Sequence, residues 1–267
     1  MLITSHFVIL NLPKTGSSFV RQVVKAIYKR RARRNPMNRI LVTLKMKSEG
    51  YKEILTAHPY IPDYRDQHGC FDQIPEADRC KQIVSVIRDP YARMESLYRF
   101  GWWQQHPPLD RSIIEKYFPG FPDLTFNQFL EMNGLASGEL KKRYEIRQDV
   151  KIGVQTIQFI RFFFKNHLSI LKNLSDEYIA EGHFKKDICN VQFLRNEHLN
   201  DELAAFLSGY GITIDELHFI KNHEKVNITP EKLAVCCGED DLTNHVNEHE
   251  WMLFEILSSF GINYKRE

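Results

Sequence analysis

Phe7-Val8-Ile9-Leu10-Asn11-Leu12-Pro13-Lys14-Thr15-Gly16-Ser17-Ser18-Phe19 reads as a strand, a tight polar loop and the start of a helix. The apolar run from His6 to Leu10 has the length and composition of a buried strand. From Phe19 to Tyr28 the apolar residues Phe19, Val20, Val23, Val24 and Ile27 fall at helical spacing. A loop between them presents backbone N–H groups and a helix N-terminus to an anion. Lys14 adds a positive charge, and Ser17 and Ser18 add short hydroxyl donors in the first turn.

The ATP/GTP phosphate loop, Gly-x-x-x-x-Gly-Lys-Ser/Thr, does not fit: position 11 is Asn, and Lys14 precedes Gly16 instead of following it. A second stretch adds to the first. Gln82-Ile83-Val84-Ser85-Val86-Ile87 is rich in β-branched residues and suits a buried parallel strand. Asp89 suits the N-cap of the helix that follows, and Pro90 its first turn. Arg88 then stands at the carboxyl end of a strand, where open α/β sheets bind ligands, and Ser96 lies eight residues on. Arg offers a forked donor to phosphate and Ser a hydroxyl. A strand-end ion pair of Arg88 with Asp89 or Glu95 is the plainer reading.

Pro13-Lys14-Thr15-Gly16-Ser17-Ser18 resembles the 5′-phosphosulfate loop of sulfotransferases that use 3′-phosphoadenosine 5′-phosphosulfate (PAPS). Arg88 and Ser96 match the spacing of that family's 3′-phosphate motif, and Arg-Asp-Pro-Tyr-x-Arg-x-x-Ser-x-Tyr resembles the carbohydrate sulfotransferase branch. The resemblance implies an α/β fold: a single P-loop-like domain over residues 1–267 with a central parallel sheet of four or five strands flanked by helices. It implies transfer of the sulfuryl group of PAPS to an acceptor hydroxyl of a carbohydrate or small molecule, without a metal. Pro13 to Phe19 would then hold the cofactor, with Thr15, Gly16, Ser17 and Ser18 on the 5′-phosphate and Lys14 stabilising the leaving oxygen. Arg88 and Ser96 would select the 3′-phosphate. His58, in Thr56-Ala57-His58-Pro59, resembles the family's catalytic histidine neighbourhood and would take the hydroxyl proton; Glu49, Glu53, His68 and His106 are its rivals. His223-Glu224-Lys225-Val226-Asn227 looks like the loop that closes over the cofactor, making Lys225 and Asn227 contacts. A kinase-like phosphoryl-transfer enzyme and an inactive nucleotide-binding relative are the alternatives.

The remaining chain sets bounds. A net charge of +2, from 36 basic and 34 acidic residues, is no global nucleic-acid signature. Lys29, Arg30, Arg31, Arg33, Arg34 and Arg39 form a local cluster, read either as a solvated helix end or as an attractor of an anionic cofactor or acceptor. Five sparse cysteines suggest reduced thiols and a cytoplasmic setting. There is no evident signal peptide, and no apolar run approaches the roughly 20 residues that span a bilayer. Ile40 to Leu44 is expected as a second strand. Residues 99–190 are expected as a largely helical and loop region on the acceptor side. Within it, 100–124 should lack regular elements and either cover the acceptor or pack on themselves, and Lys151 to Leu171 should form one helix. Val191 to Leu199 reads as a strand into a turn, and Asp240 to Ser259 as a helix covering the sheet.

Overall fold

The computed structural model describes residues 1–44, 48–58, 61, 63–213, 215–217 and 239–266. The chain divides into two compact units, Met1–Arg88 with Cys189–Ile228, and Asp89–Ile188 with Thr229–Glu267. Among the described residues no helix is long and apolar enough to cross a membrane.

Unit 1 is built on a five-stranded sheet: β1 (Leu2–Thr4), β2 (Phe7–Leu10), β3 (Tyr51–Glu53), β6 (Gln82–Ile87) and β7 (Val191–Arg195), ordered β3-β1-β2-β6-β7. A further pair, β4 (Thr56–Ala57) and β5 (Arg65–Asp66), lies apart from it. The sheet is mixed, where a parallel one was expected. β2, β6 and β7 run parallel, whereas β1 is antiparallel to both β2 and β3. The reason is local. Only Ser5 and His6 separate β1 from β2, and Thr4 Oγ1 accepts from the backbone N–H groups of His6 and Phe7, so the chain reverses at once. A parallel neighbour would need a crossover of a dozen residues.

Helix α1 (Ser17–Arg33) covers this sheet with Phe19, Val20, Val23, Val24 and Ile27, all buried. They share one core with Phe7, Ile9, Val84, Val86 and Leu194 of the strands and with Leu203 and Phe206. Each such side chain contributes about 1.5–3 kcal/mol when fully buried. Ile40–Leu44 is helical, not a strand: α2 runs Pro36–Thr43, because Asn35 caps it through Met37 N and Pro36 occupies its first turn. Arg31 grips Glu216 through two bonds of 2.8 and 2.7 Å, and that hydrogen-bonded guanidinium pulls the Glu216 carboxyl down to about 2.

Unit 2 is helical: α3 (Pro90–Phe100), α4 (Trp102–Gln105), α5 (Arg111–Tyr117), α6 (Phe126–Arg143), α7 (Val154–Phe163), α8 (His167–Lys172) and α9 (Asp176–Ala180). After α10 (Leu199–Ser208) of unit 1, it is completed by α11 (Glu239–His249) and α12 (Trp251–Ser258). Residues 100–124 carry two short helices, against expectation. Their buried Trp103, Leu109, Ile114, Phe118 and Leu124 join the core of unit 2 with Tyr98, Phe126, Phe129 and Leu242, while Phe100, Trp102 and Tyr117 stay exposed. The single helix expected over Lys151 to Leu171 is broken where Asn166 turns left-handed at φ 53°. The last helix is broken at Glu250. It packs on α3, α6, α7 and α9 of its own unit, where the sheet had been its expected partner.

Candidate anion-binding site

Three neighbouring parallel strands, β2, β6 and β7, end at Leu10, Ile87 and Arg195, so Asn11, Arg88 and Asn196 are the first residues beyond their carboxyl ends. This is the edge where open α/β sheets bind ligands. From the β2 end the chain enters the loop Asn11 to Gly16, and α1 begins at Ser17.

The loop is curled by two left-handed residues, Lys14 at φ 63° and Gly16 at φ 91°. Lys14 has no glycine's freedom, and holding it there costs about 1–3 kcal/mol, a strain typical of functional loops. A side chain at Gly16 would meet Asn196 Nδ2 at 2.5 Å. Asn196 donates to Thr15 O at 2.9 Å and so clamps the loop from the end of β7. Thr15 and Ser17 are buried, and both hydroxyls donate to Leu12 O at 2.9 Å. Their side chains therefore brace the loop, and what they can offer a ligand is backbone N–H. Ser18 is half-buried and accepts from Gln67 Nε2 at 3.4 Å; Phe19 packs its ring into the core and donates its N–H to Gly16 O. Pro13 and Lys14 are half-buried beside them.

Gly16 supplies no side-chain cap to α1, and no acidic residue stands in its first turn. The first turn of α1 thus brings neither a side-chain cap nor an acidic residue of its own to the positive end of the helix. Burial, and then the charge of Arg88, pull the Lys14 ammonium down to about 8. Lys14 and Arg88 therefore act on each other across the β2 and β6 ends. Two cations and a helix N-terminus at one strand edge are the kind of groups that can hold an anion.

The histidines divide differently from the sequence reading. His58 follows β4. Its Nδ1 accepts from Ile61 N at 3.1 Å, and its Nε2 lies 4.0 Å from Asp66 Oδ2. With Nδ1 accepting, the neutral ring carries its proton on Nε2. His68 is tied directly to the loop, with Nδ1 2.6 Å from Asn11 O. A carbonyl only accepts, so Nδ1 carries the proton and the lone pair is on Nε2. Burial holds the His68 pKa below its ordinary value, which keeps it neutral. Asn11 is fully buried; its Nδ2 donates to Gln67 O at 3.2 Å, and among the described residues its Oδ1 has no hydrogen-bond partner. Glu49 is bonded to Arg33 and Tyr51, Glu53 to Arg21 and Lys25, and His106 stacks on Trp102 in unit 2.

The sequence did not single out Asn196 as a site residue or Gln67 as a brace; standing just past a parallel strand is the signal that marks Asn196. Ser96 belongs to unit 2, half-buried on α3, where Asp89 caps the helix through Tyr91 N and pairs with Arg266, and Glu95 pairs with Arg99. Lys225 and Asn227 lie outside the described residues. Compared with known proteins, the chain matches no family model, no curated protein and no solved structure.

Proposed function

We propose that the chain is a sulfotransferase carrying the sulfuryl group of PAPS to an acceptor hydroxyl, with a carbohydrate as the first choice of acceptor. The observation that supports this most is the pairing of Lys14 with Arg88 at neighbouring parallel strand ends, beside an uncapped helix N-terminus. A donor with a 5′-phosphosulfate and a separate 3′-phosphate matches two cations with separate tasks. The N–H groups of the loop and of α1's first turn hold the 5′ end. Lys14 carries positive charge where the leaving oxygen becomes negative, and Arg88 selects the 3′-phosphate. PAPS itself supplies the activated sulfuryl group. Five sparse cysteines, odd in number, support a reducing, cytoplasmic setting.

Calorimetry tests the donor. Adenosine 3′,5′-bisphosphate should bind far more tightly than 5′-AMP, and Arg88→Ala should remove about 1.5–3 kcal/mol of that preference. Equal affinity for the two nucleotides sinks the assignment. Turnover that requires a divalent metal favours phosphoryl transfer instead.

The proton of the acceptor hydroxyl goes, in this reading, to His68 in preference to His58. The His68 tautomer leaves the lone pair on Nε2, whereas the His58 Nδ1 lone pair is already engaged. With labelled PAPS and a panel of sugar and alcohol acceptors, His68→Gln should lower turnover by roughly 10²–10⁴ and leave bisphosphate affinity unchanged. It should also remove the acidic limb of the pH–rate profile, which in the parent lies below the ordinary histidine range because burial depresses the pKa. If His58→Gln has these effects and His68→Gln does not, the role returns to His58.

A further inference from the structure

The basic cluster that follows the first helix takes no part in the site above. It comprises the exposed end of α1 and the whole of α2. Two of its members are paired within the fold, Arg31 with Glu216 and Arg33 with Glu49. Lys29, Arg34 and Arg39 are exposed, and neither Asp nor Glu occurs between residues 29 and 44. Without the six cations of this segment the chain has 30 basic residues against 34 acidic, so its positive charge is concentrated here.

The same segment exposes apolar surface. Met37, Ile40 and Leu44 are 64%, 56% and 61% exposed. At 3.6 residues per turn they fall within an arc of about 60° on one side of α2. Val42, 7% exposed, points to the opposite side and anchors the helix to the body of unit 1. The helix therefore carries a second apolar stripe, facing outward, with cations around it.

We propose that this face of α2, with the basic end of α1, docks on the surface of an anionic phospholipid bilayer. Aliphatic side chains enter the boundary between headgroups and acyl chains while Lys29, Arg34 and Arg39 meet the anionic headgroups. Other occupants fit less well. A second copy joined by a two-fold axis would set these cations against themselves. A soluble polyanion has no use for Met37, Ile40 and Leu44. A nucleic acid strand would call for aromatic stacking platforms, and the segment holds none.

Vesicle co-sedimentation of the full chain tests this independently of the sulfotransferase reading. Mixed phosphatidylcholine–phosphatidylserine vesicles should retain the protein at least about tenfold better than phosphatidylcholine alone, and less so as salt is raised. Ile40→Asn with Leu44→Asn, and separately Arg34→Glu with Arg39→Glu, should each cut the bound fraction by about tenfold or more. All four positions are exposed, and Met37→Gln gives a milder check at a fifth. No preference for the anionic vesicles overturns the proposal. So does binding that the apolar substitutions leave unchanged, since that is charge attraction alone. A concentration-dependent dimer in light scattering that Ile40→Asn abolishes also overturns it, because the face would then be a self-interface.

Discussion

Helices α1 and α7 both begin at a glycine that provides no side-chain cap, and they differ in what meets the charge at that end. At the start of α7, Gly153 precedes Val154, and the carboxylate of Glu250 is driven onto the helix end. It accepts from Gln155 N, Thr156 N and Thr156 Oγ1 at 3.0, 2.8 and 2.6 Å. Gly153 is required there, because a Cβ would meet Glu250 Oε1 at 2.2 Å. At the start of α1, Gly16 precedes Ser17, the first turn holds no acidic residue of its own, and Lys14, which feels the charge of Arg88, stands two residues before Gly16. The same orphan N–H groups and the same dipole are present at both. One end is filled by the protein's own anion and serves stability. The other follows a loop that carries Lys14.

Removing the internal anion should give the larger effect. Glu250 is fully buried, with Arg93 close enough to feel its charge and Arg93 itself buried among Gln155 and Gln158. Burial raises the Glu250 pKa against the pull of its three donors, so the charge is held at a cost. Even so, Glu250→Ala strands those donors and the arginine, and urea unfolding should show a loss of about 3–5 kcal/mol. A loss under 1 kcal/mol would mean that the two helix ends do not differ in the way described.

The smaller effect belongs to α1. Lys14 is held near 8 in the fold against an ordinary 10.5. A lysine lowered in this way binds fewer protons folded than unfolded between those values, so its contribution to stability rises with pH across that window. Bound phosphate reverses the shift by favouring the charged form. Calorimetry in buffers of different ionisation heat, at pH just above 8, should therefore show uptake of up to one proton per adenosine 3′,5′-bisphosphate. Lys14→Met should abolish that uptake. Proton-neutral binding by the parent protein would separate Lys14 from the phosphate.

What the sequence revealed follows from how local its causes are. The strand and helix around Lys14 were legible because Phe7–Leu10 and Phe19–Ile27 carry their own periodicity, and the cap at Asp89 because Pro90 follows it. The mixed sheet was hidden, since β1 has three residues and its direction depends on a two-residue turn. Ile40–Leu44 misled because a short run of β-branched and apolar residues fits both periods, and only the Asn35-Pro36 start separates them. At the site, Lys14, Gly16 and Arg88 could be named from motif spacing. Asn196 could not, because it reaches Thr15 from 181 positions away, and His68 stood only as a rival to His58 because its bond to Asn11 spans 57 positions.

The parallel pairing of β6 with β7 has a consequence in time. Ile83 meets Val191, its partner, only after the whole of α3 to α9 has been made. At about 5–20 residues per second a ribosome needs roughly 5–20 s to deliver β7 after β6. For that interval one edge of Ile83-Val84-Ser85-Val86-Ile87 offers its backbone to any passing strand, and an open apolar edge invites aggregation. Residues 89–188 thus separate the two partner strands in the order of synthesis.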